Sequence, residues 1–172
     1  FGIAINAIGN IAVTDNGKNC VYIFDKNGKC LRKIGAKGEF KDPSGVTYLN
    51  DDEILIADTN NNSIQQINIQ TGTVVKTLGK KGVGIGEFNR PIDVCLDKER
   101  RIVVTEISSN RIQVMSREGE TISIFGNIGS EKLNNPGSCL PYKNNFFVSE
   151  NGNQCIKAFE GIKMDNLSTR VI

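Results

Sequence analysis

The chain has no histidine, no tryptophan and only four prolines among its 172 residues. Without histidine it lacks the usual general base, the usual partner of a nucleophilic cysteine and the commonest nitrogen ligand for zinc. The five cysteines, Cys20, Cys30, Cys95, Cys139 and Cys155, are odd in number and contain no Cys-x-x-Cys pair. That pattern disfavours a zinc knuckle and a closed disulfide framework, and reads as free thiols in a reducing, cytoplasmic setting. Apolar runs last only a few residues and Phe1 opens no signal-peptide pattern, so no membrane partner is expected. Charge of one sign is never concentrated beyond pairs such as Lys80-Lys81. The 21 basic and 19 acidic residues leave a net charge of +2, with no polybasic arm.

What is present is strand-forming. Apolar residues make up 38% of the chain, enough for a core, and 18 glycines punctuate short Val/Ile runs with no sustained helical period. The runs repeat. Ile-Ala-Val-Thr-Asp15, Ile-Leu-Ile-Ala-Asp58, Ile-Val-Val-Thr-Glu106 and Phe-Phe-Val-Ser-Glu150 close on acids spaced 43, 48 and 44 residues apart. Four residues past each acid stands an amide (Asn19, Asn62, Asn110, Gln154), and two further a β-branched residue (Val21, Ile64, Ile112, Ile156). A turn glycine follows (Gly28, Gly72, Gly119, Gly161), and Pro43, Pro91 and Pro136 open the later copies.

In the second copy these landmarks predict strands from Val46 to Leu49, Ile54 to Ala57, Ile64 to Ile69 and Val74 to Leu78. The spacing leaves no room for a crossover helix, so each copy is an antiparallel meander. A lone meander has two faces to cover, and stacking copies radially buries both. The prediction is an all-β chain of four four-stranded propeller blades at approximately 1–42, 43–90, 91–135 and 136–172. In blade 4 a polar stretch over 163–166 precedes a last strand expected at 167–172.

The proline opening, the apolar run ending in Asp, the Asn-Arg-Ile-Gln-Val segment at 110–114 and the Leu78-Gly79 and Phe125-Gly126 closings resemble NHL repeats along essentially the whole chain. The resemblance implies a six-bladed ring, closed by further blades of the same chain or by an oligomer. It also implies a non-catalytic scaffold like the C-terminal propeller of TRIM-NHL proteins, in which a RING-type ubiquitin ligase region lies elsewhere and the propeller selects the partner. No zinc-ligand spacing for such a region occurs in these residues.

The four recurring acids tempt a catalytic reading, but recurrence in every copy points to turns. Asp15, Asp58, Glu106 and Glu150 are expected to accept backbone N–H groups of the turn that follows, with Asn19, Asn62, Asn110 and Gln154 satisfying the rest of the same loop. Metal-dependent hydrolase or lyase propellers are the weakest alternative. At the innermost strand openings only Asp93 offers a carboxylate, and no metal or other cofactor is expected. The glycine-rich 79–88 segment lacks the Gly-Lys-Ser/Thr ending of a phosphate loop and falls between blades.

Loops after second and fourth strands share one face of the disc, which collects Lys18, Lys37, Lys41, Lys80, Lys81, Arg90, Arg111 and Lys132 together with Glu39, Asp42, Glu87 and Glu131, so an excess of positive charge requires the four turn acids to be tied up in their own loops. The cations other than Lys18 are the candidate contacts for a protein partner. Single-stranded RNA, the alternative implied by RNA-binding TRIM-NHL proteins, would use the same cations, chiefly Lys80, Lys81, Arg90 and Arg111. Aromatic interleaving is sparse, with Phe40 and Phe88 placed as loop anchors rather than stacking platforms.

Overall fold

The computed structural model describes residues 2–35, 38–129 and 132–160. Three sheets are four-stranded antiparallel meanders in chain order: β1 (Ile3–Ile5) to β4 (Cys30–Ile34), β5 (Pro43–Tyr48) to β8 (Val74–Leu78), and β9 (Pro91–Leu96) to β12 (Thr121–Phe125). Their middle strands are β2 (Ile11–Asp15), β3 (Cys20–Phe24), β6 (Glu53–Asp58), β7 (Ser63–Asn68), β10 (Ile102–Glu106) and β11 (Arg111–Met115). The fourth sheet holds three described strands, β13 (Pro136–Tyr142), β14 (Asn145–Glu150) and β15 (Cys155–Glu160). The strand expected at 167–172, the stretch at 163–166 and Gly161 lie outside the described residues. The all-β propeller architecture is the one the repeat predicts.

Strand periodicity explains how the blades stack. Ile54 and Ile56 point to blade 1 and join Ala12, Val21 and Ile23, whereas Leu55 and Ala57 point the other way and join Val94, Ile102 and Val104 of blade 3. Blade 3 repeats the arrangement, with Val103 and Val114 packed on Cys139, Phe146, Val148 and Phe159. Inner strands buried on both faces need no polar alternation, which is why the recurring runs are almost continuously apolar.

Two details depart from the predicted boundaries. The first strand of blade 2 begins at Pro43 itself, which pairs with Asp58, and a bulge then separates it from the Val46↔Ile56 pair. The same bulge follows Pro136. Proline tolerates the first position of a strand because no ladder donor is needed there, and the extra residues re-aim the strand towards the axis.

At that axis β1, β5, β9 and β13 lie side by side. Glycine permits the approach. A Cβ on Gly45 would sit 2.5 Å from Oδ1 and 2.6 Å from Cα of Asp93, and one on Gly2 would sit 2.4 Å from the Ser44 carbonyl oxygen. Among the described residues no helix is long and apolar enough to cross a membrane.

Candidate recognition face

Antiparallel pairing puts the start of each first strand beside the end of the second, as Pro43↔Asp58, Pro91↔Glu106 and Pro136↔Glu150 show. The loops after second strands and those entering first strands therefore share one end of the sheets. The recurring acids act there, though in three blades their backbone donors are not in the turn that follows, from which Asp58 and Glu150 accept only the Asn61 and Asn153 side-chain amides at 2.8 and 2.9 Å. Asp58 Oδ1 accepts the Lys41 N–H at 2.7 Å, Glu106 Oε2 that of Asn89 at 2.8 Å, and Glu150 Oε1 that of Asn134 at 2.6 Å. In each case the donor lies two residues before the proline. Asp15 follows the expected pattern, accepting from the Lys18 N–H at 3.0 Å, and that bond with the Lys18 ammonium holds its carboxyl below the ordinary value.

Asp58, Glu106 and Glu150 are buried. Burial pushes the Asp58 carboxyl above its usual 3.8, against the opposing pull of the Lys41 N–H and the Asn61 side chain. The folded state thus binds this proton more tightly than the unfolded chain, so the group's contribution to stability is full below about pH 3.8 and falls as pH rises through the raised value. Asp58→Asn, which keeps an acceptor without the charge, is expected to gain melting temperature relative to wild type as pH rises from acid to neutral. Melts showing a pH-independent offset would contradict this.

Three of the recurring amides link neighbouring blades, and Asn62 also donates to the Asn60 carbonyl of its own loop at 3.3 Å. Asn19 Oδ1 accepts the Asp42 N–H at 2.7 Å, Asn62 that of Arg90 at 2.9 Å, and Asn110 that of Asn135 at 2.7 Å. Both ends of each link are left-handed, with φ 55° at Asn62 and 54° at Arg90. Gln154 takes the same conformation, φ 52°. Asn62→Ala loses the link and strains the backbone, for roughly 1–2 kcal/mol. Asn62→Gly removes the same side-chain bonds without the backbone strain, so thermal melts are expected to rank it between alanine and wild type.

Arg111 corrects the reading of this face. It is 4% exposed and its guanidinium is spent inside the protein: Nε donates to Glu106 Oε1 at 2.6 Å, Nη1 to the Val83 carbonyl at 2.7 Å, and Nη2 to the Gly84 and Glu87 carbonyls at 3.0 and 2.9 Å. It is a loop clamp and offers nothing to a ligand. The clamp stands directly across from the acid, and the slot is filled differently in each copy, by Cys20, Ser63, Arg111 and Cys155. Cys155 is exposed, and partial desolvation of its sulfur with the hydrogen bond to Glu150 raises the thiol.

Among the other expected cations, Lys80 pairs with Glu87 at 3.4 Å in the open, a contact of little energetic weight. Lys41, Lys81, Arg90 and Lys132 are exposed and make no ion pair with the described residues. Lys37 lies outside the described residues. Phe40 and Phe88 are buried under their loops, seated against Gly35 and Gly79. Asp93 is not an open channel ligand. Its Oδ2 accepts the Ser138 hydroxyl and, at 3.3 Å, the Cys139 N–H, joining blade 3 to blade 4. Among the described residues no cluster of three His, Cys, Asp or Glu side chains is arranged to hold a metal.

Lin-41 of Caenorhabditis elegans is 41% identical to this chain over 49 residues, 28% of the chain and 4% of that protein. Brain tumor of Drosophila melanogaster is 28% identical over 130 residues, 73% of the chain and 12% of its own length. The E3 ubiquitin-protein ligase NHLRC1 of Homo sapiens is 27% identical over 111 residues, 62% of the chain and 26% of the ligase. All three are NHL-repeat proteins. The chain is a β-propeller similar in sequence to these NHL-repeat proteins.

The family described as SdiA-regulated also matches residues 9–83. Among solved structures, virginiamycin B lyase of Staphylococcus aureus superposes with a TM-score of 0.74 at 18% identity, covering 99% of the chain and 53% of the lyase. At that identity the likeness is one of fold. The chain therefore spans a small part of its curated relatives and about half of this lyase.

Proposed function

We propose that this NHL propeller is a non-catalytic recognition scaffold whose loop-bearing face holds a protein partner, as the substrate-selecting part of a RING-type E3 ubiquitin ligase would. One observation carries the reading. The recurring buried carboxylates are occupied by backbone N–H groups, while Lys41, Lys81, Arg90 and Lys132 stand exposed at the same end without ion pairs to the described residues. Asp15, Glu106 and Glu150 are also balanced by ion pairs with Lys18, Arg111 and Lys157, so the unpaired cations set the charge of the face, suited to an acidic partner in the cytoplasm. RNA would draw on the same charge, but the two loop phenylalanines that could stack on bases are buried.

The test is selection of the chain in parallel against random peptides displayed on phage and a random single-stranded RNA pool. The reading expects acidic peptides to be enriched, and to bind Lys81→Glu/Arg90→Glu roughly tenfold or more weakly. Enrichment from the RNA pool alone, with affinity falling steeply in salt, would transfer the function to RNA.

Ring closure belongs to the same reading. Ile3 and Ile5 on the open side of blade 1 are 73% and 67% exposed, and Leu140, Tyr142 and Ile156 on the open side of blade 4 are 65%, 59% and 71% exposed. Apolar sheet faces of this kind fit another blade of the same type, from a longer chain or a second copy. Sedimentation of the 172-residue chain is expected to show association, and a monomer at all concentrations would count against it.

A further inference from the structure

We infer that the 79–88 loop is a rigid knob that inserts Val83 and Ile85 into an apolar pocket, rimmed by carboxylates, on a protein partner. The inference rests on the scaffold reading and adds where on the face the partner sits and what chemistry it presents. Four glycines in ten residues, Gly79, Gly82, Gly84 and Gly86, would ordinarily make a flexible segment. Here the segment is held from several sides. The Phe88 N–H donates to the Lys80 carbonyl at 2.8 Å and the Gly82 N–H to the Phe88 carbonyl at 2.9 Å, closing a small ring of backbone. Phe88 is fully buried beneath it. Glu87 accepts the Gly84 N–H at 3.0 Å, and Gln113 binds both the Gly86 N–H and the Glu87 carbonyl. Above all, Arg111 commits four donated hydrogen bonds, and three of them go to carbonyls of this one loop.

The effort leaves Val83 69% and Ile85 78% exposed. A single surface aliphatic residue needs no explanation. Two of them, two positions apart on a loop fixed by a buried arginine, are different, because the clamp stabilises a geometry in which both side chains face solvent. A loop selected only to join blades 2 and 3 has no use for them. Preorganised aliphatic knobs lose little entropy on binding and gain most in a closed pocket. The charge around them defines the pocket's edge. Lys81 and Arg90 are exposed and unpaired among the described residues, and the loop's own acid, Glu87, is already engaged by Lys80 and the Gly84 N–H. An aliphatic pair gives a nucleobase no stacking surface, so this element favours a protein over RNA.

The test uses the peptides recovered from the phage selection. Val83→Ser/Ile85→Ser changes only exposed side chains and is expected to melt with wild type. It is expected to bind the selected peptides roughly tenfold or more weakly, and the peptide sequences should pair large apolar residues with flanking Asp or Glu. Ile128→Ser, which removes an equally exposed aliphatic residue from the neighbouring loop, is expected to leave binding unchanged. If Val83→Ser/Ile85→Ser binds as wild type does, or if Ile128→Ser loses as much affinity, the knob is overturned while the scaffold reading stands. If no peptide is enriched, or only RNA is, both fall.

Discussion

Arg111→Met is expected to destabilise the protein by roughly 3–5 kcal/mol, because breaking one side of a buried ion pair strands its partner in the interior. Glu106 is fully buried and its Oε1 would keep only the Gln113 amide, while the Val83, Gly84 and Glu87 carbonyls would lose their donors together. At about 2–4 °C per kcal/mol for a domain of this size, melting would fall by roughly 6–20 °C. A second measurement separates the clamp from ordinary core damage. Glu106→Gln/Arg111→Met removes the stranded charge and is expected to recover part of the loss, whereas protease cleavage within 79–88 stays faster than in wild type because the loop carbonyls remain unheld. A single variant melting within about 1 kcal/mol of wild type would mean that the pair contributes little.

Gly45→Ala is expected to rank next. Its new methyl would meet backbone of the adjacent blade, with contacts of 2.5 Å to Asp93 Oδ1, 2.6 Å to Asp93 Cα and 2.8 Å to the Val94 nitrogen. No side-chain rotation relieves the last two, so blades 2 and 3 must separate at the axis. Overpacking of this kind costs about 1–3 kcal/mol, and backbone contacts place it at the upper end, roughly 6–12 °C in melting temperature. Gly28→Ala offers the contrast, since its Cβ would meet nothing within 4 Å and only its φ of 82° is unfavourable. The two variants melting alike would show that the axis is looser than these distances imply.

The repeat was legible because a propeller asks the same thing of each copy: an apolar run buried on both faces, an acid at its end, an amide in a left-handed turn. Which groups those residues bind was not. The sequence places Asp58 beside the turn at 59–62, but antiparallel pairing with Pro43 brings it equally close to the Lys41 N–H, a partner 17 residues away. Asn62 reaches farther still, to Arg90 in the next blade's entry loop. Local spacing predicts local bonds, and these bonds depend on how one meander meets the next.

Arg111 was misread for a related reason. Basic residues in polar loops are usually solvated, yet Arg111 is the first residue of β11 and pairs in register with Glu106, the last of β10. An acid closing one strand and a cation opening the next, five residues on, are cross-strand neighbours, and that spacing was a usable signal. Asp93 gave the opposite lesson. It looked like a lone channel carboxylate, and it holds the Ser138 hydroxyl because blade 4 presents that group where blade 3 presents an acid. Val83 and Ile85 drew no notice as two aliphatic residues in a glycine-rich linker, since their exposure becomes informative only once the loop is known to be clamped.

The division between recurring residues that hold blades together and non-recurring residues that meet a partner can be tested in one measurement: the affinity of a selected acidic peptide for Asn62→Ala and for Lys81→Glu/Arg90→Glu, at a temperature where both are folded. Asn62→Ala is expected to bind as wild type does although it melts earlier, and Lys81→Glu/Arg90→Glu to lose roughly tenfold or more in affinity although it melts with wild type. Wild-type affinity in Lys81→Glu/Arg90→Glu, with the loss appearing in Asn62→Ala instead, would contradict the account.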